Sequence, residues 1–170
     1  ADWNNFFIGV FFQGVLQQDW WPGGEADVFW GQYNRPYNFM PKSQVGNIWS
    51  EDNPDAYFPR YRGYVAQNGA GELHTAQTKY MQNAAYIRLK NLQIGYNLPH
   101  ALISRAKISA ARIYLSGENL WSWSPLYRIT KDLDVESIRR SDTVTDTNSS
   151  GNGNNYPILK SYTIGLNITL

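Results

Sequence analysis

Apolar and polar residues alternate with a period of two along four stretches of the chain, as they do in strands with one buried face. The last stretch is the most regular, and one side of it is wholly apolar. That side consists of Tyr162, Ile164, Leu166, Ile168 and Leu170. The pattern predicts strands over about residues 5–17, 85–98, 111–123 and 156–170. The expected fold class is therefore all-β.

A short repeat indicates how these strands are arranged. Leu92–Leu98 and Tyr162–Ile168 both place Ile-Gly, one apolar or aromatic residue and then Asn in the same order. Two strands that share such a motif are expected to run in the same direction at the same level of a sheet. In an antiparallel meander one strand separates them, and the stretch at 111–123 supplies it.

The first strand has an apolar side formed by Phe6, Ile8, Val10 and Phe12. Trp3 precedes this strand, and Trp20 and Trp21 follow it. Indole rings on both sides of an apolar band are typical of the aromatic girdles of a membrane barrel. Ordinary core and surface tryptophans would give the same spacing, so both interpretations stay open.

The upper parts of the second and third strands are less regular. Ile87 and Leu89 have the opposite parity to Leu92, which predicts either a bulge near Lys90–Asn91 or a segment above the bilayer. In the third strand parity places Trp121 and Trp123 on the apolar face. Arg112 and Glu118 fall on the opposite, lumen-facing side, where they are expected to pair with neighbouring strands.

The connections alternate in length. Residues 18–84 and 124–155 are long and rich in Pro, Gly, Asn, Asp and Ser, whereas residues 99–110 are short. Bacterial outer-membrane barrels have short periplasmic turns and long outer loops. We therefore expect a transmembrane antiparallel β-barrel segment with two long extracellular loops and a periplasmic turn at 99–110.

Composition and charge argue against several classes of function. The chain has a net charge of +1 and no clustered basic face, which argues against nucleic-acid binding. Its only histidines, His74 and His100, are far apart, so no catalytic constellation, metal site or cofactor site is expected and the chain is not predicted to be an enzyme. Asp132, Asp134 and Glu136 could hold calcium in an outer loop, although a solvated acidic patch is favoured.

Several motifs together resemble one family. They are Ala85–Pro99, Arg112–Trp121, Tyr156–Leu170, and an outer-loop run from Asn47 to Asp55 with Phe58-Pro-Arg60. In these residues the chain resembles the carboxyl-terminal end of SusC/RagA-type TonB-dependent outer-membrane transporters of Bacteroidota. Its end also resembles the signal for barrel insertion, carried by Thr163, Gly165, Ile168 and Leu170, with Leu170 in place of the usual aromatic residue.

The resemblance implies an integral outer-membrane protein in contact with lipid, and a 22-stranded barrel of which these are the last four strands. It implies TonB-dependent uptake of oligosaccharides or peptides, a SusD-like surface lipoprotein as partner, and a TonB complex that contacts other parts of the protein. The family's plug and TonB box have no counterpart in these residues. The chain is therefore expected to be a fragment or one piece of a longer polypeptide.

The first long loop contains the candidate contact residues. Aromatic rings among amides and charges suit sugars, and the same residue types are enriched where proteins meet. The candidates for substrate or lid-protein contact are Trp30, Trp49, Tyr57, Arg60 and Tyr61. Packing of the loop on itself is the third explanation. The alternative function is a soluble all-β carbohydrate-binding module, which would bury the apolar strand faces against a second sheet.

Overall fold

The computed structural model describes residues 1–23, 26–62, 72–138 and 158–169. Its strands are β1 (Asp2–Trp3), β2 (Phe6–Val15), β3 (Asp19–Trp20), β4 (Gln82–Asn83), β5 (Tyr86–Asn97), β6 (Ala110–Trp123) and β7 (Ser161–Thr169). Two short helices are α1 (Asp27–Trp30) and α2 (His100–Ile103). Single 3₁₀ turns cover Gly31–Tyr33, Lys42–Gln44, Thr78–Tyr80, Ser104–Ala106, Pro125–Arg128 and Val135–Ser137. The described chain is thus mostly strand and loop, with little helix.

These elements divide into two compact units. The first comprises Ala1–Gly14, Ile87–Trp123 and Ile158–Leu170, and the second comprises Val15–Tyr86 and Ser124–Pro157. The first contains most of the long strands, and the second consists mainly of residues from the predicted outer loops at 18–84 and 124–155. No helix of the described residues is long and apolar enough to cross a membrane.

The first unit is an antiparallel sheet in the order β1-β2-β5-β6-β7. β6 lies between β5 and β7, as the sequence repeat predicts. Tyr114 of β6 is directly opposite Gly95 on one side and Gly165 on the other, so the two repeated motifs lie at the same level. Residue 156 and Leu170, at the ends of the last predicted strand, lie outside the described residues.

One face of this sheet is apolar and uncovered among the described residues. A row of directly opposed side chains crosses three strands through Ile94, Leu115 and Ile164. Their exposed fractions are 44%, 56% and 79%. On β2, Phe6 packs against Tyr96 with ring centroids 4.7 Å apart. The expected apolar face is therefore present, and no second sheet of the described chain covers it.

A bulge interrupts the regular pairing of the upper parts of β5 and β6. Leu89 is opposite Trp121 and Asn91 is opposite Glu118, so β6 has one more residue than β5 in this interval. Asn119, in the extra segment, has a positive φ of 53°. Directly opposed residues share a face, so Trp121 lies on the side of Leu89 and Trp123 lies on the side of Ile87.

The predicted bulge near Lys90–Asn91 is present, since the register shifts between Leu89 and Asn91. Gly117 and Leu120 agree with this, since a β-carbon at Gly117 would meet the Leu120 side chain. Trp121 and Trp123 are 49% and 53% exposed, whereas Arg88 is 2% exposed. The placement of the two indole rings on the apolar face stays a prediction.

On the polar face of the sheet, aromatic rings pack over glycines of the neighbouring strands. A β-carbon added at Gly95 would overlap the Phe7 ring, and one added at Gly165 would overlap the Tyr114 ring. Both glycines belong to the repeated motif. An aromatic ring that covers a glycine on the neighbouring strand fills the space left by the missing side chain and helps to fix strand register.

We expect Gly95→Ala and Gly165→Ala each to lower the stability of the sheet by about 1–3 kcal/mol, because the added methyl group must displace a packed ring. The measurement is the thermal unfolding midpoint of the full-length protein, followed by circular dichroism. Gly9→Ala in β2 is the matched control, since nothing lies within 4 Å of its added β-carbon. Equal stability of all three variants would contradict the ring-over-glycine account.

Candidate functional site

The second unit has its own aromatic core. Phe29, Trp30 and Tyr33 come from α1 and the turn after it, and Phe58 and Tyr80 pack against them. The ring centroids of Phe29 and Trp30 are 4.7 Å apart, at 84° to each other. Edge-to-face ring pairs of this kind add stability beyond the apolar area that they bury. The long loop is therefore folded around its rings.

Trp20 belongs to this core as well. It is 5% exposed, and its ring centroid lies 6.4 Å from that of Phe29. Of the two interpretations of the tryptophans around the first strand, core packing holds for Trp20. Trp3, by contrast, is 74% exposed.

A buried glutamine ties the core backbone together. Gln44 is fully buried, and its Nε2 donates to the carbonyl oxygens of Phe29 at 2.8 Å and Trp30 at 3.0 Å. Its Oε1 accepts a hydrogen bond from the Tyr61 hydroxyl at 2.9 Å. The amide thus satisfies three groups that burial would otherwise leave unpaired. Sequence reasoning missed Gln44, because nothing in its neighbourhood distinguishes it from other loop amides.

Trp30 is a core residue, which corrects its prediction as a contact residue. Its side chain is fully buried, and its Nε1 donates to the Pro22 carbonyl oxygen at 2.6 Å. Because the ring has no exposed surface and its N–H group is already hydrogen-bonded, Trp30 cannot contact a ligand at the loop surface.

Tyr57 and Tyr61 are half-buried and serve the same core. The Tyr61 ring lies 4.4 Å from that of Tyr33. The Tyr57 ring lies 5.0 Å from that of Phe58, and its hydroxyl donates to the Lys79 carbonyl oxygen at 2.6 Å. Both rings therefore pack against the core with part of their surface. Only the exposed part of each ring is available for contact with a substrate or lid protein.

Trp49 and Arg60 lie together at the surface of the unit. The Arg60 guanidinium carbon is 6.0 Å from the Trp49 ring centroid, within reach of a cation–π interaction. The Trp49 amide nitrogen donates to the Phe58 carbonyl oxygen at 2.9 Å, which fixes the backbone beneath the ring. Of the five predicted contact residues, this pair is the best placed to meet a ligand or partner.

Burial changes the acidity of the core phenols. It raises the pKa of Tyr33 above its ordinary value of 10.0, and neighbouring Tyr61 and Tyr80 raise it further. Burial also raises the pKa of Tyr57, Tyr61 and Tyr80. The cause in each case is that a phenolate would lose hydration inside the ring cluster.

On the polar face of the sheet, Arg112 and Glu118 pair with neighbouring strands. Arg112 Nε donates to Asn97 Oδ1 at 2.7 Å, and its guanidinium lies 4.5 Å from the centroid of the Phe7 ring. The Glu118 carboxylate accepts from the Ser161 hydroxyl at 3.1 Å. These contacts run from strand to strand, as predicted, and lumen exposure in a closed barrel stays a prediction.

The predicted insertion signal lies along β7. Thr163 is opposite Ser116, Gly165 lies beneath Tyr114, and Ile168 is opposite Ala111. Leu170 lies outside the described residues. These positions fix strand pairing, and the role in insertion stays a prediction.

Among the described residues no group of three or more His, Asp or Glu side chains is placed to hold a metal ion. Asp134 Oδ1 instead accepts from the Glu136 amide at 3.1 Å and caps a 3₁₀ turn.

Curated proteins give the family. Over 174 residues the chain is 30% identical to TonB-dependent receptor P3 of Formosa agariphila, a match that covers 98% of this chain and 15% of that protein. TonB-dependent receptor P26 of the same organism is 27% identical over 77% of the chain and 12% of its own length. We identify the chain as a segment of a TonB-dependent receptor. An integral outer-membrane location follows.

Solved structures agree with this fold. The chain matches one named as the RagAB peptide transporter with a TM-score of 0.59 and 22% identity, over 98% of the chain and 16% of that protein. The RagAB peptide importer in its "closed-closed" state matches with a TM-score of 0.58 and 22% identity, over 98% of the chain and 16% of that protein. No protein-family model matches the sequence. These relatives are named as receptors and transporters rather than enzymes, and the receptor segment spans less than a fifth of each.

In the receptor segment we expect Gln44→Leu to destabilise the outer-loop unit, because each buried group left without its partner costs about 1–3 kcal/mol. Limited proteolysis of the intact protein measures this as faster cleavage within the loops. Gln77→Leu is the control, since Gln77 makes an exposed hydrogen bond to the Glu72 carbonyl oxygen. If both variants resist protease equally, Gln44 does not stabilise the unit.

The ring cluster should unfold in alkali. The pKa of a buried tyrosine is higher in the folded protein than in the unfolded chain. The tyrosine therefore stabilises the fold fully below the unfolded-state pKa near 10, and this stabilisation is lost as pH rises through the folded-state pKa. Near-ultraviolet circular dichroism should therefore be lost together with the last phase of the tyrosinate absorbance change, above about pH 10. Tyr33→Phe should weaken this dependence, and a tertiary signal that persists after tyrosinate absorbance is complete would contradict the expectation.

Proposed function

We propose that the chain is the carboxyl-terminal part of a SusC-type TonB-dependent transporter, which imports oligosaccharides or peptides together with a SusD-like lipoprotein. The observation that carries the proposal is the exposed apolar face of the antiparallel sheet, opposite a polar face lined by Asn97, Arg112 and Glu118. A strand segment with one lipid-facing and one lumen-facing side is what a transmembrane barrel requires.

In this proposal the whole protein forms a 22-stranded barrel with a plug, and these residues supply its final strands. The apolar face contacts outer-membrane lipid. The TonB complex acts through parts of the protein beyond this chain. The second unit lies outside the cell, where Trp49 and Arg60 can meet the substrate or the SusD-like lid. Peptide is supported as a substrate by the similar structures named as a peptide transporter.

The soluble carbohydrate-binding module is the weaker candidate. It would bury Phe6, Val10 and Phe12 against a second sheet, and these side chains are 50%, 51% and 51% exposed. In water such a continuous apolar surface would promote aggregation.

A matched pair of arginine variants tests the two faces. Leu115→Arg should abolish most heat-modifiable protein in the outer membrane, because an arginine facing lipid at mid-depth costs about 2–4 kcal/mol. Ser116→Arg, one residue on, points to the polar side and should be tolerated. Equal effects of the two variants, or a native protein that needs no detergent, would contradict a barrel.

Transport itself is tested by deletion of the gene. Uptake of labelled peptides or oligosaccharides by intact cells should fall in the deletion strain and in cells without TonB function. Purification of the native protein should recover the lipoprotein partner. Unchanged uptake of both substrate classes in the deletion strain would overturn the proposed activity.

A further inference from the structure

A groove runs between the two predicted outer loops within the second unit. Its volume is about 680 Å³. Residues 39–43 of the first loop form one side, and residues 127–132 of the second loop form the other. Ligand pockets in proteins commonly measure about 300–1,000 Å³, so this groove could hold a short chain of several residues. We call it the cationic groove.

The floor of the cationic groove is apolar and accessible. Phe39 is 55% exposed and Met40 is 44% exposed, and Val28 and Ile129 also line the groove. Neighbouring exposed apolar side chains with polar residues around them are typical of ligand-binding grooves. Methionine adapts its shape to different apolar partners, which suits a site for variable side chains.

Its rim carries an excess of positive charge. Lys42, Arg128 and Lys131 are exposed, and the one carboxylate in the described lining belongs to Asp132. None of the three cations forms a salt bridge with another residue of the described chain. Cations without an ion pair among the described residues, next to apolar side chains, attract ligands that combine negative charge with apolar groups.

The lining indicates which ligand class fits. Sugars are usually held by stacked rings together with amide side chains; the described lining has the rings of Phe39 and Tyr127 but no Asn or Gln to bind the hydroxyl groups. An acidic peptide supplies carboxylates for the rim and apolar side chains for the floor. We propose that the cationic groove binds acidic oligopeptides that also contain apolar residues. This inference rests on the proposed function, which places both loops outside the cell.

The test is direct binding to the purified full-length protein in detergent. The probe is a fluorescent decapeptide of alternating Glu and Leu. Lys42→Gln, Arg128→Gln and Lys131→Gln should each weaken binding by about twofold to fivefold, the range of an exposed ion pair. Arg62→Gln is the matched control, because Arg62 lies in the same loop outside the groove and pairs with Glu72. Added salt should weaken binding of the wild-type protein.

Asp132→Asn is expected to strengthen peptide binding, an effect that misfolding of the variant would not produce. Removal of the one rim carboxylate should tighten binding of the acidic peptide by about twofold to fivefold, by the same exposed-pair range. A decapeptide of alternating Lys and Leu should bind more weakly than the acidic peptide. Equal affinity for both peptides, tighter binding of a uronic-acid oligosaccharide, or no response to the three cation variants would each overturn the proposal.

The two proposals fail in different ways. If uptake depends on the gene but groove variants leave peptide affinity unchanged, the transporter stands and the groove assignment is wrong. If gene deletion leaves uptake unchanged while the groove variants still alter affinity, the binding site stands and the proposed transport activity is wrong.

Discussion

Strand register is the constraint on which the first unit depends. Alternate residues face opposite sides, so a slip by one residue would carry Leu115 and Ile164 to the polar side and Arg112 to the apolar side. The rings of Phe7 and Tyr114 oppose such a slip, because each occupies space that only a glycine leaves free. Register, and with it the separation of lipid and water, thus has a packing basis in addition to backbone hydrogen bonds.

The bulge between β5 and β6 shows that register also changes within one pair of strands. Between the pairs Asn91–Glu118 and Leu89–Trp121, β6 has one more residue than β5, and Asn119 in this interval adopts a positive φ. Asn tolerates this left-handed conformation better than most residues.

The second unit depends on a different interaction, because its long loop segments have no large sheet to stabilise them. It is stabilised instead by a ring cluster and the buried Gln44 amide, and most of the aromatic residues described in the second unit belong to that cluster or pack against it. The surfaces left for recognition are smaller and more polar. They are the Trp49–Arg60 pair and the cationic groove, which differ in chemistry and so can serve different contacts.

The sequence by itself determined the alternation, the positions of the long strands and the meander order, because period-two patterning and the Ile-Gly repeat are local signals. Only the tertiary structure decided which rings are buried, because Trp30 and Trp49 look alike in a loop whose contacts span distant residues. It also decided which residues of β5 lie opposite Trp121 and Trp123, because the register shifts between the two strands. The cationic groove was invisible for the same reason, since Lys42 and Arg128 meet only after both loops fold.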